Sequence, residues 1–205
     1  MKVMLLGATG LVGNECLQLL CAEQRISEIR IFSRAPIPHL NEKIRTLIAP
    51  LDAMKDHSEF FAVDAIICAL GTTIKKAGSQ AAFRMVDYEF PVAAARIAKE
   101  HGVKHYLLVS ALGSNAQSTV FYNRIKGETE NAIIDLSFER TTIVRPSLLV
   151  GERQEVRRGE RIGQFFAPLI PKKYKPVKAS SVAQTLVKEL LTEGSGTHII
   201  ESRDI

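Results

Sequence analysis

The chain has 205 residues and carries 27 Lys and Arg against 22 Asp and Glu, a formal net charge of +5 at pH 7, with 46% hydrophobic and 24% charged residues. That length supports a core without disulfide or metal staples, and residues 1–205 read as one unit. No apolar stretch approaches the roughly 18–20 residues needed to span a bilayer, and three glycines followed by Asn14-Glu15 interrupt the N-terminal apolar run, unlike a secretory leader.

Strand-like and helix-like segments alternate along the chain, the pattern of an α/β fold with a doubly wound parallel sheet of about seven strands. The expected strands are 2–6, 29–33, 44–48, 65–70, 105–110, 141–144 and a short last one at 198–200. The expected helices are 11–23, a weak one around 59–61, 88–100, 122–136 and 181–192, with a further turn at 79–84. Between Arg145 and Lys178 the periodicity fades and Pro, Gly and Lys accumulate, which reads as a small C-terminal lobe facing a substrate. Cys16, Cys21 and Cys68 form an odd set without metal-ligand spacing and read as free thiols in a reducing, cytoplasmic compartment. His101 and His105 flank a helix end at Gly102 and would not share a face, so no metal site is expected.

The chemistry-bearing motifs start at the N-terminus. Val3-Met4-Leu5-Leu6 feeds into Gly7-Ala8-Thr9-Gly10-Leu11-Val12-Gly13 and then a helix pattern, as in a dinucleotide-binding βαβ unit. Gly7 permits the tight turn, Gly10 lets backbone approach a pyrophosphate, and Gly13 lets the helix pack closely, while the helix N-terminus offers N–H groups to phosphate. Gly7, Thr9, Gly10, Leu11, Val12 and Gly13 are therefore the expected cofactor cradle. The second strand ends Ser33-Arg34, with no carboxylate to hold a ribose 2′-hydroxyl. Arg34 could pair with a 2′-phosphate and Ser33 add a hydrogen bond, which points to NADP(H) in preference to NAD(H). Asp52 is placed to meet the adenine edge, and Ala69-Leu70-Gly71 to let backbone run along a ribose.

Tyr122 and Lys126 stand four apart on one expected helix, so they share a face about 6 Å apart along its axis. A neighbouring ammonium suits a phenol to acid–base work at neutral pH. Any amphipathic helix can produce this spacing by chance, but Ser110 closes the fifth strand where a parallel sheet presents its site. The segment Gly151–Lys178 holds eight basic and three acidic residues, which accounts for the whole net charge. It reads as a solvated surface, or as a contact for an anionic small molecule or cofactor phosphates. Nucleic acid is not favoured, since no recognition motif or aromatic platform accompanies the charge.

Together these residues resemble the extended and atypical branch of the short-chain dehydrogenase/reductase superfamily. Cys68-Ala69-Leu70-Gly71-Thr72-Thr73, Lys76-Ala77-Gly78, Val86-Asp87-Tyr88, Tyr122-x-x-x-Lys126-Gly127-Glu128 and Arg145-Pro146-Ser147-Leu148-Leu149 with Arg153-Gln154-Glu155 are similar to the oxidoreductase group typified by the human Tat-interacting tumour-suppressor protein. The resemblance implies a Rossmann-type fold, bound NADPH, a catalytic Ser110, Tyr122 and Lys126 set, and a nicotinamide pocket lined by Pro146, Leu148 and Leu149. It implies an NADPH-dependent oxidoreductase reducing a carbonyl or similar group on a small molecule. The alternative is a non-catalytic NADPH-binding sensor or scaffold acting through protein partners. The wider superfamily often pairs through the Tyr122 helix, which suggests a homodimer. Two positions depart from the pattern. Ala111 stands where a second serine is often found, leaving Ser114 and Ser118 as alternatives to Ser110. Asp87 stands in a setting similar to that of the asparagine many conventional members carry on the fourth helix, so the resemblance does not extend to a proton relay through that position. No phosphate loop ending in Gly-Lys-Ser/Thr and no kinase catalytic-loop signature is present.

Overall fold

In the computed structural model, which describes residues 1–37, 41–150 and 175–205, the chain begins with β1 (Lys2–Leu6), α1 (Leu11–Ala22), β2 (Glu28–Ser33) and β3 (Ile44–Ile48). A 3₁₀ segment (Leu51–Phe61) leads to β4 (Ala65–Cys68), the short α2 (Ile74–Ala77) and α3 (Gln80–Arg84), and a π-helical turn (Met85–Glu89) that runs into α4 (Phe90–Glu100). Then come β5 (His105–Val109), α5 (Phe121–Ile134), β6 (Arg140–Arg145), β7 (Leu149–Val150), β8 (Val177–Lys178), α6 (Ala179–Leu191) and β9 (Gly196–Glu201).

The alternation within β1 explains the layering. Val3 and Leu5 sink into one apolar cluster, with Val12, Cys16, Leu17 and Leu20 of α1 and Val182, Leu186 and Leu190 of α6. Met4 and Leu6 sink into another, with Phe61, Ala94 and Ala98 of α4, and Ile133 of α5. A strand buried on both faces belongs inside a parallel sheet covered by helices. Accordingly, seven parallel strands form one sheet in the order β3-β2-β1-β4-β5-β6-β9, and β7 and β8 pair separately as a parallel ribbon. The seven-strand, doubly wound Rossmann-type expectation holds.

The topology also places the site. The chain adds β2 and β3 on one side of β1, then crosses to add β4 on the other. Ligands of such sheets bind in the crevice at that reversal, beyond the carboxyl ends of the strands. Several boundaries differ from the sequence expectation, the weak helix around 59–61 being a 3₁₀ segment over 51–61 and the last strand running over 196–201, and three differences bear on the site. β4 stops at Cys68, because the Ala69 N–H makes a last bond to the Leu6 carbonyl (2.9 Å) and the chain then turns away. The helix expected from Tyr88 is preceded by the π-helical turn, which carries Asp87 inward. The ends of the expected 145–178 lobe form the β7–β8 ribbon, while its basic residues from Arg153 to Lys173 lie outside the described residues. Among the described residues no helix is long and apolar enough to cross a membrane.

Candidate active site

Loops leaving the carboxyl ends of β1, β2, β4, β5 and β6 line one cleft of about 1600 Å³. Its first wall is the glycine loop. Gly7 adopts φ +84°, and a Cβ there would sit 2.5 Å from the Ala69 carbonyl oxygen; a Cβ at Gly13 would press into the Gly7 carbonyl and lie 3.0 Å from Ala8 Cα. Three stretches of backbone thus meet with no room for a side chain. The Gly10 N–H closes the turn on the Gly7 carbonyl (2.9 Å), and no side chain caps α1, so its leading N–H groups remain available to an anion. Thr9, Gly10, Leu11 and Val12 face the cleft, whereas Gly13 is spent on the contact behind it.

Ser33 and Arg34 form the next part of the wall. The Ser33 hydroxyl donates to the Ala35 carbonyl (2.8 Å) and accepts from the Ala35 N–H (3.3 Å), which holds the strand end. Arg34 is exposed at the rim. Asp52 is not brought to the cleft: it points to solvent from the first turn of the 3₁₀ segment, while its neighbour Leu51 supplies the wall. Ala69, Leu70 and Gly71 line the opposite side, and Pro146, Leu148 and Leu149 close the end beyond β6. The Leu112 N–H donates to the Pro146 carbonyl (2.8 Å), tying the β5 and β6 loops together.

Tyr122 and Lys126 both face the cleft from α5. The Tyr122 ring packs on Phe83, with centroids 5.6 Å apart. Lys126 is buried, and its Nζ lies 2.8 Å from Asp87 Oδ1. Burial pushes the ammonium toward its neutral form, but Asp87 and, to a smaller degree, Tyr122 and Cys68 outweigh it, leaving Lys126 above the usual lysine value.

Ser110 reaches the cleft, but its hydroxyl donates to Glu130 Oε1. Glu130 is itself gripped by Arg145, whose Nε lies 3.1 Å from Oε1 and whose second terminal nitrogen lies 2.6 Å from Oε2. The other arm of Arg145 reaches Glu201 at 2.9 Å. Hydrogen bonding to Glu130, opposed by burial, raises Arg145 above its ordinary value. Ser114 sits behind Ser110 (Oγ to Oγ 3.0 Å) and donates to the Ala111 carbonyl (2.7 Å); Ser118 accepts from the Val120 N–H (3.1 Å). Neither alternative serine lines the cleft. Glu130 was not anticipated from the sequence, although it falls one helical turn beyond Lys126 on the same stripe of α5. Cys16, Cys21 and Cys68 are free thiols, and burial pushes Cys16 up to about 12, with a smaller push from Glu15. Cys16 and Cys68 are buried, and burial raises all three thiols, so they are unsuited to nucleophilic work.

Comparisons with known proteins agree with this geometry. A family described as NAD(P)H-binding matches residues 7–193. "Protein fmp52, mitochondrial" from Emericella nidulans is 35% identical over 185 residues, covering 86% of this chain and 79% of its own length. "Protein HTATIP2" from Rattus norvegicus is 28% identical over 212 residues, covering 100% of this chain and 87% of its own. Among solved structures, MoeE5 in complex with UDP-glucose and NAD superposes with a TM-score of 0.76 at 12% identity, covering 97% of this chain and 75% of that one, a likeness of fold alone. The cytoplasmic expectation does not stand, because several FMP52 relatives are named as mitochondrial proteins. Free thiols argue against an oxidising compartment but do not choose among the reducing ones. The match runs from the Gly7 turn past the end of α6, and the chain belongs to the NAD(P)H-binding family.

Proposed function

We propose that the protein is an NADPH-dependent reductase of the short-chain dehydrogenase/reductase type, acting on a carbonyl or similar group of a small molecule. The observation that carries this reading is that Tyr122 and Lys126 face the same cleft as the glycine loop. The residues fit a dinucleotide: α1 presents uncapped N–H groups, the glycine loop leaves its backbone bare, and Arg34, exposed at the rim of the cleft, would be available to a 2′-phosphate. A nicotinamide held there would supply hydride chemistry, and this chain's residues would orient it and handle the proton. Tyr122 would give its phenolic proton to the oxygen that gains charge, and Lys126 would hold the cofactor's ribose and favour the phenolate left behind. Pro146, Leu148 and Leu149 would exclude water from that end of the cleft. By the names of its relatives we place the protein in the mitochondrion.

A second reading, an NADPH-binding sensor without turnover, is favoured by the commitment of the Ser110 hydrogen to Glu130, which leaves the substrate oxygen one donor short. Tyr122→Phe separates the two. On the reductase reading it retains NADPH affinity while NADPH oxidation by carbonyl probes such as phenanthrenequinone and benzaldehyde falls about a hundredfold. Unchanged oxidation rates would remove Tyr122 from the chemistry, and no oxidation by wild type with any probe would favour the sensor.

A further inference from the structure

We propose that Asp87 is a positioning residue: it keeps Lys126 charged at the cleft wall and ties it to the Gly71–Thr72 segment, so that the lysine and the cofactor-facing loop are held as one unit. The proposal rests on the reading of Lys126 as a contact of bound NADPH.

Asp87 is 1% exposed, and each carboxylate oxygen has a distinct task. Oδ1 pairs electrostatically with Lys126 Nζ at 2.8 Å and accepts no hydrogen bond among the described residues; Oδ2 accepts the Thr72 N–H at 2.9 Å. The backbone of Asp87 is fixed too, since Thr129 Oγ1 on α5 donates to its carbonyl at 2.8 Å. Gly71 passes directly over the pair: a Cβ there would be 3.5 Å from Asp87 Oδ1 and 3.9 Å from Lys126 Nζ. The π-helical turn makes this placement. Met85 and Glu89 at its ends are exposed, while Asp87 between them points inward.

A lysine buried this deeply loses its proton unless a counter-charge holds it. The titratable groups that face Lys126 are Asp87 from the π-helical turn, Tyr122 on its own helix and Cys68 from β4, and Asp87 is the one carboxylate among them. The ammonium pairs with Asp87 while Lys126 also lines the cleft, where its donors can meet a ligand. Thr72 links the same carboxylate to the loop that would follow the cofactor ribose. Losing Asp87 therefore removes the lysine's charge and its aim together.

The test is NADPH affinity, followed by cofactor fluorescence on the full chain from about pH 6 to about pH 10, where an unpaired buried lysine titrates. Wild type is expected to keep its affinity across that range. Asp87→Asn is expected to lose about tenfold as pH rises and Lys126 discharges. The double variant Asp87→Asn/Lys126→Arg is expected to be flat again, because arginine does not titrate in proteins. A merely structural role would weaken binding equally at every pH, so an Asp87→Asn curve parallel to wild type overturns the proposal. If the asparagine variant does not fold, Asp87→Ser carries the same expectation. Wild type that binds no NADPH at any pH defeats the reductase reading along with this one; wild-type binding with parallel curves defeats only the role of Asp87.

Discussion

Where α1 meets β1, backbone packs on backbone: Gly13 lies against the Gly7 carbonyl, and Gly7 against the carbonyl of Ala69. Along the inner stripe of α5, by contrast, charge packs on charge, with Lys126 against Asp87 and Glu130 against Arg145. Both regions contribute to the same cleft, through Gly7 and Gly10 on one side and Tyr122 and Lys126 on the other, yet they fail in different ways. The first has no spare volume and the second has no spare charge. An added methyl group should damage the glycine wall even though it is chemically inert. The α5 wall should suffer when one partner of a pair is removed, even where nothing is crowded.

The largest effect is expected at Gly13. A Cβ there meets backbone atoms of Gly7 and Ala8, which cannot swing aside as a side chain would. Gly13→Ala should lose upward of about 3 kcal/mol in urea denaturation, at the severe end for overpacking. Gly10→Ala provides the contrast, since its Cβ would find the Gly7 carbonyl oxygen at 3.2 Å, a contact that a small adjustment relieves. Equal losses at the two positions would break the steric account of this wall.

The charge account is tested next, at Glu130. Its side chain is 3% exposed and that of Arg145 21%, so removing the carboxylate leaves a guanidinium whose escape to water is only partial. Glu130→Ala should cost about 2 kcal/mol, below the range for a fully buried pair because Arg145 keeps Glu201. Adding Arg145→Ala should recover part of that loss, because no stranded charge remains. Strictly additive losses would mean that the two residues are not coupled, and the contrast between the walls would weaken.

The same contrast explains what could be read from the chain. The glycine wall was legible because its determinants are consecutive: an apolar run buried from Val3 to Leu6, then three glycines at fixed spacing. Tyr122 and Lys126 were legible because one helical turn separates them. Their partners were not, since Asp87 and Arg145 come from other elements and only the tertiary fold joins them to α5. A lysine and a glutamate four apart on a helix ordinarily signal a solvated face. Here the face is inward because Gly127 lets the backbone of Asn115 and Ala116 lie against the helix, where a Cβ would clash. Asp52 failed for a related reason: a position just past a strand end says nothing about which way a 3₁₀ turn presents it. The π-helical turn at Met85–Glu89 has no periodic signature at all, yet it decides where Asp87 points.

Arg34 sharpens the comparison with the smallest expected effect. It is a charge on the rim of the wall otherwise built from backbone, exposed to solvent, and no described side chain engages it. Its contribution should therefore be screened by water and salt in a way that the buried pairs on α5 are not. Arg34→Ala should weaken NADPH binding about tenfold while leaving NADH binding unchanged, and the difference should shrink as ionic strength rises. The fold should not notice, because the side chain is exposed. Equal losses for both cofactors would make Arg34 a general electrostatic attractor rather than a reader of the 2′-phosphate. No loss for either would assign cofactor binding on that side to the glycine loop alone, with charge confined to the opposite wall.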